Sequence, residues 1–220
     1  MDTKEILRHV DHTLLQATST WPQIETLCKE AIEYHTASVC IPPCYIARVK
    51  KAFGDRLTIC TVIGFPLGYS VTSAKVEEAR AAVADGAEEI DMVLNVSDMK
   101  NHDYQKVEDE IKAIRKAVGG KTLKVIIETC YLDHDEKVAA CKAVSAAGAD
   151  YIKTSTGFGT AGATLEDVRL MRAEVAPEVK VKAAGGIRSV ADMEAFLEAG
   201  ADRLGTSSAI KLIKKQEAEK

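Results

Sequence analysis

The 220-residue sequence predicts an α/β protein, a single (β/α)8 TIM barrel over residues 1–220 with a short N-terminal helix. Three observations predict it. Short β-branched runs alternate with amphipathic, Ala- and Glu-rich stretches from one end of the chain to the other, which implies parallel strands joined by helical crossovers. A glycine-headed turn recurs at three of the strand entries. The length fits one closed barrel. An open, doubly wound sheet is the alternative arrangement of the same alternation.

In chain order, Met1-Asp-Thr-Lys-Glu-Ile-Leu7 reads as the short amphipathic helix. Strands are predicted over 10–14, 38–41, 58–63, 89–94, 124–128, 151–155, 180–184 and 203–206, and helices over 21–34, 43–52, 72–85, 103–118, 134–147, 164–175, 189–199 and 208–216. Thr164-Leu-Glu-Asp167 and Ser189-Val-Ala-Asp192 carry capping chemistry at two helix starts. The charged stretch 211–220 reads as a frayed final helix without an assigned role.

The recurring turn is Gly86-Ala-Glu-Glu-Ile-Asp91, Gly148-Ala-Asp-Tyr-Ile-Lys153 and Gly200-Ala-Asp-Arg-Leu-Gly205. Each glycine caps a helix, and a tight turn then enters a strand. Side chains alternate along a strand, so Ile90, Ile152 and Leu204 should face the helices while Asp91 and Lys153 face the barrel axis. An ionisable group aimed into an apolar barrel is costly, so it is expected at the mouth, at the C-terminal ends of the strands where barrels keep their active sites.

Composition removes several classes of function. A net charge of −4 gives no basic field for nucleic acid or an anionic membrane. No apolar run approaches the roughly 20 residues that span a bilayer. The N-terminus lacks a signal-peptide core, so cytoplasmic residence is the expectation. Six scattered cysteines form no C-x-x-C pair and read as free, mostly buried thiols. Five histidines without ligand spacing argue against a catalytic zinc or iron, and no metal is expected.

Lys153 and Lys182 fall on neighbouring strands, about 4.8 Å apart in the sheet. A protonated amine cannot attack a carbonyl. Burial and a nearby like charge both disfavour the ammonium form, and together they can bring one lysine toward ~7, a shift of roughly 3 units or ~4 kcal/mol. Such a pair is a reasoned nucleophile site. Schiff-base chemistry also needs a proton carrier, which Asp91 can be, directly or through a water. The alternative is a structural ion pair between Asp91 and one lysine.

Two glycine-bearing turns follow the seventh and eighth strands: Gly185 and Gly186 before Arg188, and Gly205 before Ser207 and Ser208. Barrels commonly hold phosphate there, with backbone N–H groups at helix N-termini facing the anion. Gly157 and Gly159 can add to that cup, and Arg188 either neutralises the phosphate or lies in solvent. Asp11 and Thr13 either bind substrate hydroxyls or close the barrel with polar contacts. Cys40 either lines the pocket or packs in the core. Glu128 and Asn95, at strand ends, keep open roles: Glu128 either tunes a lysine or pairs with one.

Val10-Asp-His-Thr-Leu-Leu15, Val62-Ile-Gly-Phe-Pro-Leu-Gly68, Glu89-Ile-Asp-Met-Val93, Lys124-Val-Ile-Ile-Glu-Thr129, Tyr151-Ile-Lys-Thr-Ser-Thr-Gly-Phe158, Val181-Lys-Ala-Ala-Gly-Gly-Ile-Arg188 and Gly205-Thr-Ser-Ser208 together resemble the 2-deoxyribose-5-phosphate aldolase family. The resemblance runs in order from about residue 6 to residue 210. It implies that Lys153 forms the Schiff base, that Lys182 depresses the pKa of that amine and shares in proton transfer, and that Asp91 relays protons. It places a phosphate at Gly157, Gly185, Gly186, Arg188, Gly205, Ser207 and Ser208. The implied reaction is reversible cleavage of 2-deoxy-D-ribose 5-phosphate to D-glyceraldehyde 3-phosphate and acetaldehyde, without metal or organic cofactor.

Pro42 stands where many members carry Asn, Ser97 where Gly is common and Ala161 where Gly is usual. These departures bear on pocket detail rather than on the three catalytic positions. A sugar-phosphate isomerase or epimerase on the same fold needs no paired lysines, and a non-catalytic sugar-phosphate-binding barrel needs no Asp91, Lys153 and Lys182 together. A homo-oligomer, dimer or tetramer, is the expected state, as is common for such barrels.

Overall fold

The computed structural model describes residues 1–218. Eight parallel strands close on themselves: β1 (Val10–Thr13), β2 (Ser38–Ile41), β3 (Ile59–Ile63), β4 (Glu89–Val93), β5 (Thr122–Ile126), β6 (Tyr151–Lys153), β7 (Lys180–Ala184) and β8 (Arg203–Thr206). Closure is made where β8 returns to β1, with Val10 opposite Leu204 and Asp11 opposite Gly205. The open doubly wound sheet is thereby excluded. A closed ring also leaves no strand edge exposed.

The helices are α1 (Thr3–Arg8), α2 (Trp21–Tyr34), α3 (Ile46–Phe53), α4 (Thr72–Asp85), α5 (Val96–Lys100), α6 (Tyr104–Val118), α7 (His134–Ala146), α8 (Leu165–Glu174), α9 (Val190–Glu198) and α10 (Ala209–Ala218). Both anticipated caps are present, Thr164 accepting from the Asp167 N–H and Ser189 from that of Asp192. The C-terminal stretch is helical through Ala218, and residues 219–220 lie outside the described residues.

Among the boundaries that differ from the sequence expectation, three have a clear local reason. The fifth strand runs 122–126 rather than 124–128, because Glu128 takes a left-handed conformation (φ 51°) that no strand contains. The sixth stops at Lys153 instead of 155, the chain turning over the mouth. Residues 43–52 divide into a 3-10 turn, Pro43–Tyr45, and α3, since Pro42 and Pro43 delay the helix. The five-residue α5 was not anticipated; the Asn95 side chain caps it, accepting from the N–H groups of Ser97 and Asp98.

The apolar core lies between the barrel and its helices. Val39, Ile90, Val125, Ile152, Val181 and Leu204 are all fully buried on the outward faces of their strands. Each such side chain contributes roughly 1.5–3 kcal/mol of burial. The bore is different. It holds a small apolar group, Cys40, Cys60 and Val62 against Leu15 and Phe65, and a larger set of charges. The expectation of an apolar interior with charge only at the mouth is therefore corrected: the ionic groups extend to the floor.

Candidate active site

Strand alternation aims Asp11, Asp91, Lys124, Lys153 and Lys182 into the bore, where each is at most 3% exposed. Asp91 is the node. Its Oδ2 accepts from Lys153 Nζ at 2.8 Å and from Lys182 Nζ at 2.7 Å, and its Oδ1 accepts from Lys124 Nζ at 2.8 Å. Two bonds of 2.8 and 2.7 Å to one oxygen keep the Lys153 and Lys182 nitrogens within 5.5 Å of each other. Lys182 also bonds Asp11 Oδ2. Below these, Lys124 pairs with Glu89 at 2.6 Å, and Arg203 pairs with Asp11 at 2.6 Å and Glu89 at 3.2 Å.

The third copy of the recurring turn carries Gly205 where the others carry Asp91 and Lys153. A Cβ there would stand 2.9 Å from the Ala184 Cβ and 3.2 Å from the Lys182 Cε. The missing side chain is the space the Lys182 stem occupies.

Burial opposes the charges on Asp11, Asp91, Lys124 and Lys182, and their partners overcome it. It pushes the Lys182 ammonium down, yet Asp11 and Asp91 hold it above the ordinary lysine range. Lys124 is likewise held well above, burial being outweighed by Asp91, Cys60, Asp11 and Glu89. Burial would raise Asp91, but Lys124, Lys153 and Lys182 carry it well below the usual carboxylate range. Asp11 is lowered in the same way by Lys182, Lys124 and Arg203. The network therefore sets four cationic side chains (Lys124, Lys153, Lys182, Arg203) against three carboxylates (Asp11, Glu89, Asp91). One positive charge is in excess.

Above this network opens a cavity of about 290 Å³. Of the bore's charged groups, Lys153 is the one that lines it, together with Thr13, Thr156, Gly157, Gly185, Gly186, Gly205, Ser207 and Ser208. The N–H groups of Gly157, Gly186 and Ser207 donate to no other atom among the described residues. The structure thus brings together Lys153, Lys182 and Asp91, and separately the glycine turns and both serines around the mouth.

Other candidates fall elsewhere. Arg188 is exposed and does not line the cavity; its N–H caps onto Asp192 at 2.8 Å. Asp11 does not reach the mouth, being committed to Lys182, Ser38 and Arg203, so of its two readings the polar closure of the barrel stands. Cys40 is fully buried in the bore beside Cys60 and Val62 and does not line the cavity. Pro42 precedes the 3-10 turn ahead of α3, and Ser97 lies in the first turn of α5.

Several participants escaped sequence reasoning. Lys124 begins the predicted fifth strand with no role assigned; alternation against Leu123 and Val125 turns it inward, and register sets it opposite Asp91. Glu89 and Arg203 lie within the recurring turn sequence itself. Gly162 was overlooked: a Cβ there would come within 2.4 Å of the Gly185 carbonyl, so the loop after β6 can lie on the turn after β7 only with glycine at this point.

Two sets of ligand-type atoms, Cys40–Cys60–Asp91 and Asp11–Cys60–Glu89, each cluster within 4.8 Å. The Lys124 ammonium already pairs with members of both sets, 3.3 Å from Cys60 Sγ, 2.8 Å from Asp91 and 2.6 Å from Glu89.

A family model described as DeoC/LacD family aldolase matches residues 6–210. A deoxyribose-phosphate aldolase of Clostridium botulinum (strain Alaska E43 / Type E3) is 59% identical over 219 residues, covering 100% of this chain and 99% of the relative. One from Clostridioides difficile (strain 630) is 57% identical over 214 residues, covering 97% and 98%. Among solved structures, an aldolase designated QR15 superposes with a TM-score of 0.92 at 39% identity, covering 98% of this chain and 97% of its own. The tetrameric deoxyribose phosphate aldolase of Aeropyrum pernix gives 0.92 at 31% identity, covering 100% and 94%. The chain belongs to the DeoC/LacD family of aldolases and is a carbon–carbon lyase.

Proposed function

We propose that this protein reversibly cleaves 2-deoxy-D-ribose 5-phosphate to D-glyceraldehyde 3-phosphate and acetaldehyde through a Schiff base on Lys153. One observation carries the reading: Lys153 and Lys182 share Asp91 Oδ2, and of the three only Lys153 borders the cavity. The bore holds one positive charge more than its carboxylates balance, so loss of a single proton brings it to neutrality. Lys153 is the lysine that faces the substrate.

The unprotonated Lys153 amine adds to the substrate aldehyde, and the carbinolamine loses water to form an imine. Removal of the C3 hydroxyl proton breaks the C2–C3 bond. Glyceraldehyde 3-phosphate leaves, and the electron pair passes into the enamine of acetaldehyde. Protonation at C2 and hydrolysis release acetaldehyde and free Lys153. Asp91 stands in hydrogen-bond reach of both lysines and is placed to pass protons between them, while Lys182 supplies a fixed positive charge beside the imine. The glycine turns and the N-terminus of α10 receive the phosphate through backbone N–H groups.

Incubation with acetaldehyde and borohydride, followed by peptide mapping, tests the reading. A reduced ethyl adduct is expected on Lys153 and is lost in Lys153→Ala. Unmodified wild-type protein contradicts it.

We also propose assembly with further copies of the chain. The tetrameric Aeropyrum pernix relative supports it, as does an exposed apolar run, Leu67, Tyr69 and Val71. Sedimentation as a monomer at micromolar concentration contradicts it.

A further inference from the structure

Glu128 is a buried carboxylate, 3% exposed, and no cation pairs with it among the described residues. Neither role foreseen for it, tuning or pairing with a lysine, is what the structure shows. Its neighbours are tied to the strand that carries Lys153: Ile127 N–H donates to the Lys153 carbonyl at 3.0 Å, and Thr129 N–H to that of Thr154 at 2.9 Å. Between these two bonds Glu128 turns left-handed, which a residue other than glycine adopts only where its surroundings impose it. The turn carries its side chain away from the lysines and under the loop that follows β6.

There the carboxylate collects that loop. Oε1 accepts from the Thr156 N–H at 3.1 Å, and Oε2 accepts from the Thr156 hydroxyl. With its proton committed to Glu128, the hydroxyl oxygen turns a lone pair to the Phe158 N–H, which donates to it at 3.0 Å. Two of three consecutive N–H groups are consumed in this way. The third, that of Gly157, is left unbonded between them at the wall of the cavity. Gly159 then lies so close that a Cβ would stand 3.1 Å from the Glu128 Cδ and 2.9 Å from Cys130 Sγ, so the loop rests on the carboxylate itself.

We propose that Glu128 is a positioning residue for phosphate recognition: it presents the Gly157 N–H to the anion and touches no reacting atom. The proposal rests on the reading of the glycine turns as the phosphate site. It assigns specificity for the phosphorylated sugar, rather than bond cleavage, to a carboxylate at the end of β5.

Three measurements test it. Glu128→Ala should raise KM for 2-deoxyribose 5-phosphate about tenfold or more, with kcat within about threefold, since two hydrogen bonds to a charged acceptor are lost. Its kcat/KM on unphosphorylated 2-deoxyribose should stay within about twofold of wild type. Glu128→Gln, which retains an acceptor for the Thr156 N–H, should recover most of the lost affinity.

Calorimetry with inorganic phosphate gives a readout independent of Lys153. Wild type should bind it, and Glu128→Ala should bind about tenfold more weakly or worse. Should Glu128→Ala fail to fold, Thr156→Val removes the hydroxyl while leaving the carboxylate in place and should show the same split. Equal losses on both sugars, unaltered phosphate affinity, or a wild type that does not bind phosphate would each overturn the proposal. Failure of acetaldehyde trapping on Lys153 would instead count against the Schiff-base reading and leave the calorimetric result to stand.

Discussion

Asp91→Asn is the most informative single change to the bore. The amide keeps the shape of the carboxylate and removes its charge. Asp91 bonds three lysine ammonium groups at 2.7–2.8 Å, and none of those side chains is more than 4% exposed. After the change, four cations face two carboxylates, and the excess doubles from one charge to two. Breaking a buried ion pair from one side costs about 3–5 kcal/mol, because the remaining charge loses its partner without regaining water. Urea unfolding should therefore lose about 3–5 kcal/mol, which at a slope near 2 kcal/mol per molar moves the midpoint down by about 2 M. Turnover should fall at least about 100-fold with the loss of the proton carrier. The charge argument makes a further demand. Adding Lys124→Met removes one of the stranded cations, so the double variant should be more stable than Asp91→Asn alone by about 2 kcal/mol. A loss below about 1 kcal/mol in Asp91→Asn, or a double variant that loses the plain sum of the two single changes, refutes the reasoning.

Stability should fall at both ends of the pH scale. Asp11 and Asp91 are held below their ordinary value of 3.8, so the unfolded chain binds more protons under acid; their contribution is present above about pH 4 and is lost as pH falls through the folded values. Lys124 and Lys182 are held above 10.5, so theirs is present below about pH 10 and is lost as pH rises through the folded values. Urea midpoints measured across pH check both limbs; an alkaline limb unchanged in Lys124→Met would remove that lysine from the account. Gly162→Ala forces a methyl to within 2.4 Å of the Gly185 backbone and should raise KM for the phosphorylated sugar about tenfold or more by displacing that turn. Wild-type KM in this variant would show that the contact does not set the turn.

The barrel and the central three residues were legible because both follow from period-two alternation. Once the recurring turn fixes where a strand begins, Asp91 and Lys153 can only face inward. Lys124 obeys the same rule, yet a charged residue near a strand start resembles an exposed strand end, and only the register opposite Asp91 shows its place. Glu128 and Asn95 were visible as polar residues at strand ends, but their work depends on backbone shape. Glu128 itself takes a left-handed conformation, and Asn95 caps a helix too short to leave a periodic trace. Arg188 kept two readings for a related reason. Its place just after two glycines is a matter of sequence, whereas the exposed course of its side chain depends on the hydrogen bonds of its N–H and the following Ser189 N–H to Asp192.

The unequal count of charges inside the barrel also bears on which aldehydes can enter. Solvent is excluded from the floor, so charges there are weakly screened, and until the bore loses its surplus proton an excess of positive charge lies beneath the cavity. An aldehyde carrying an anionic group should then be favoured at the entrance over a neutral one of the same shape. One carrying an amine should be disfavoured there.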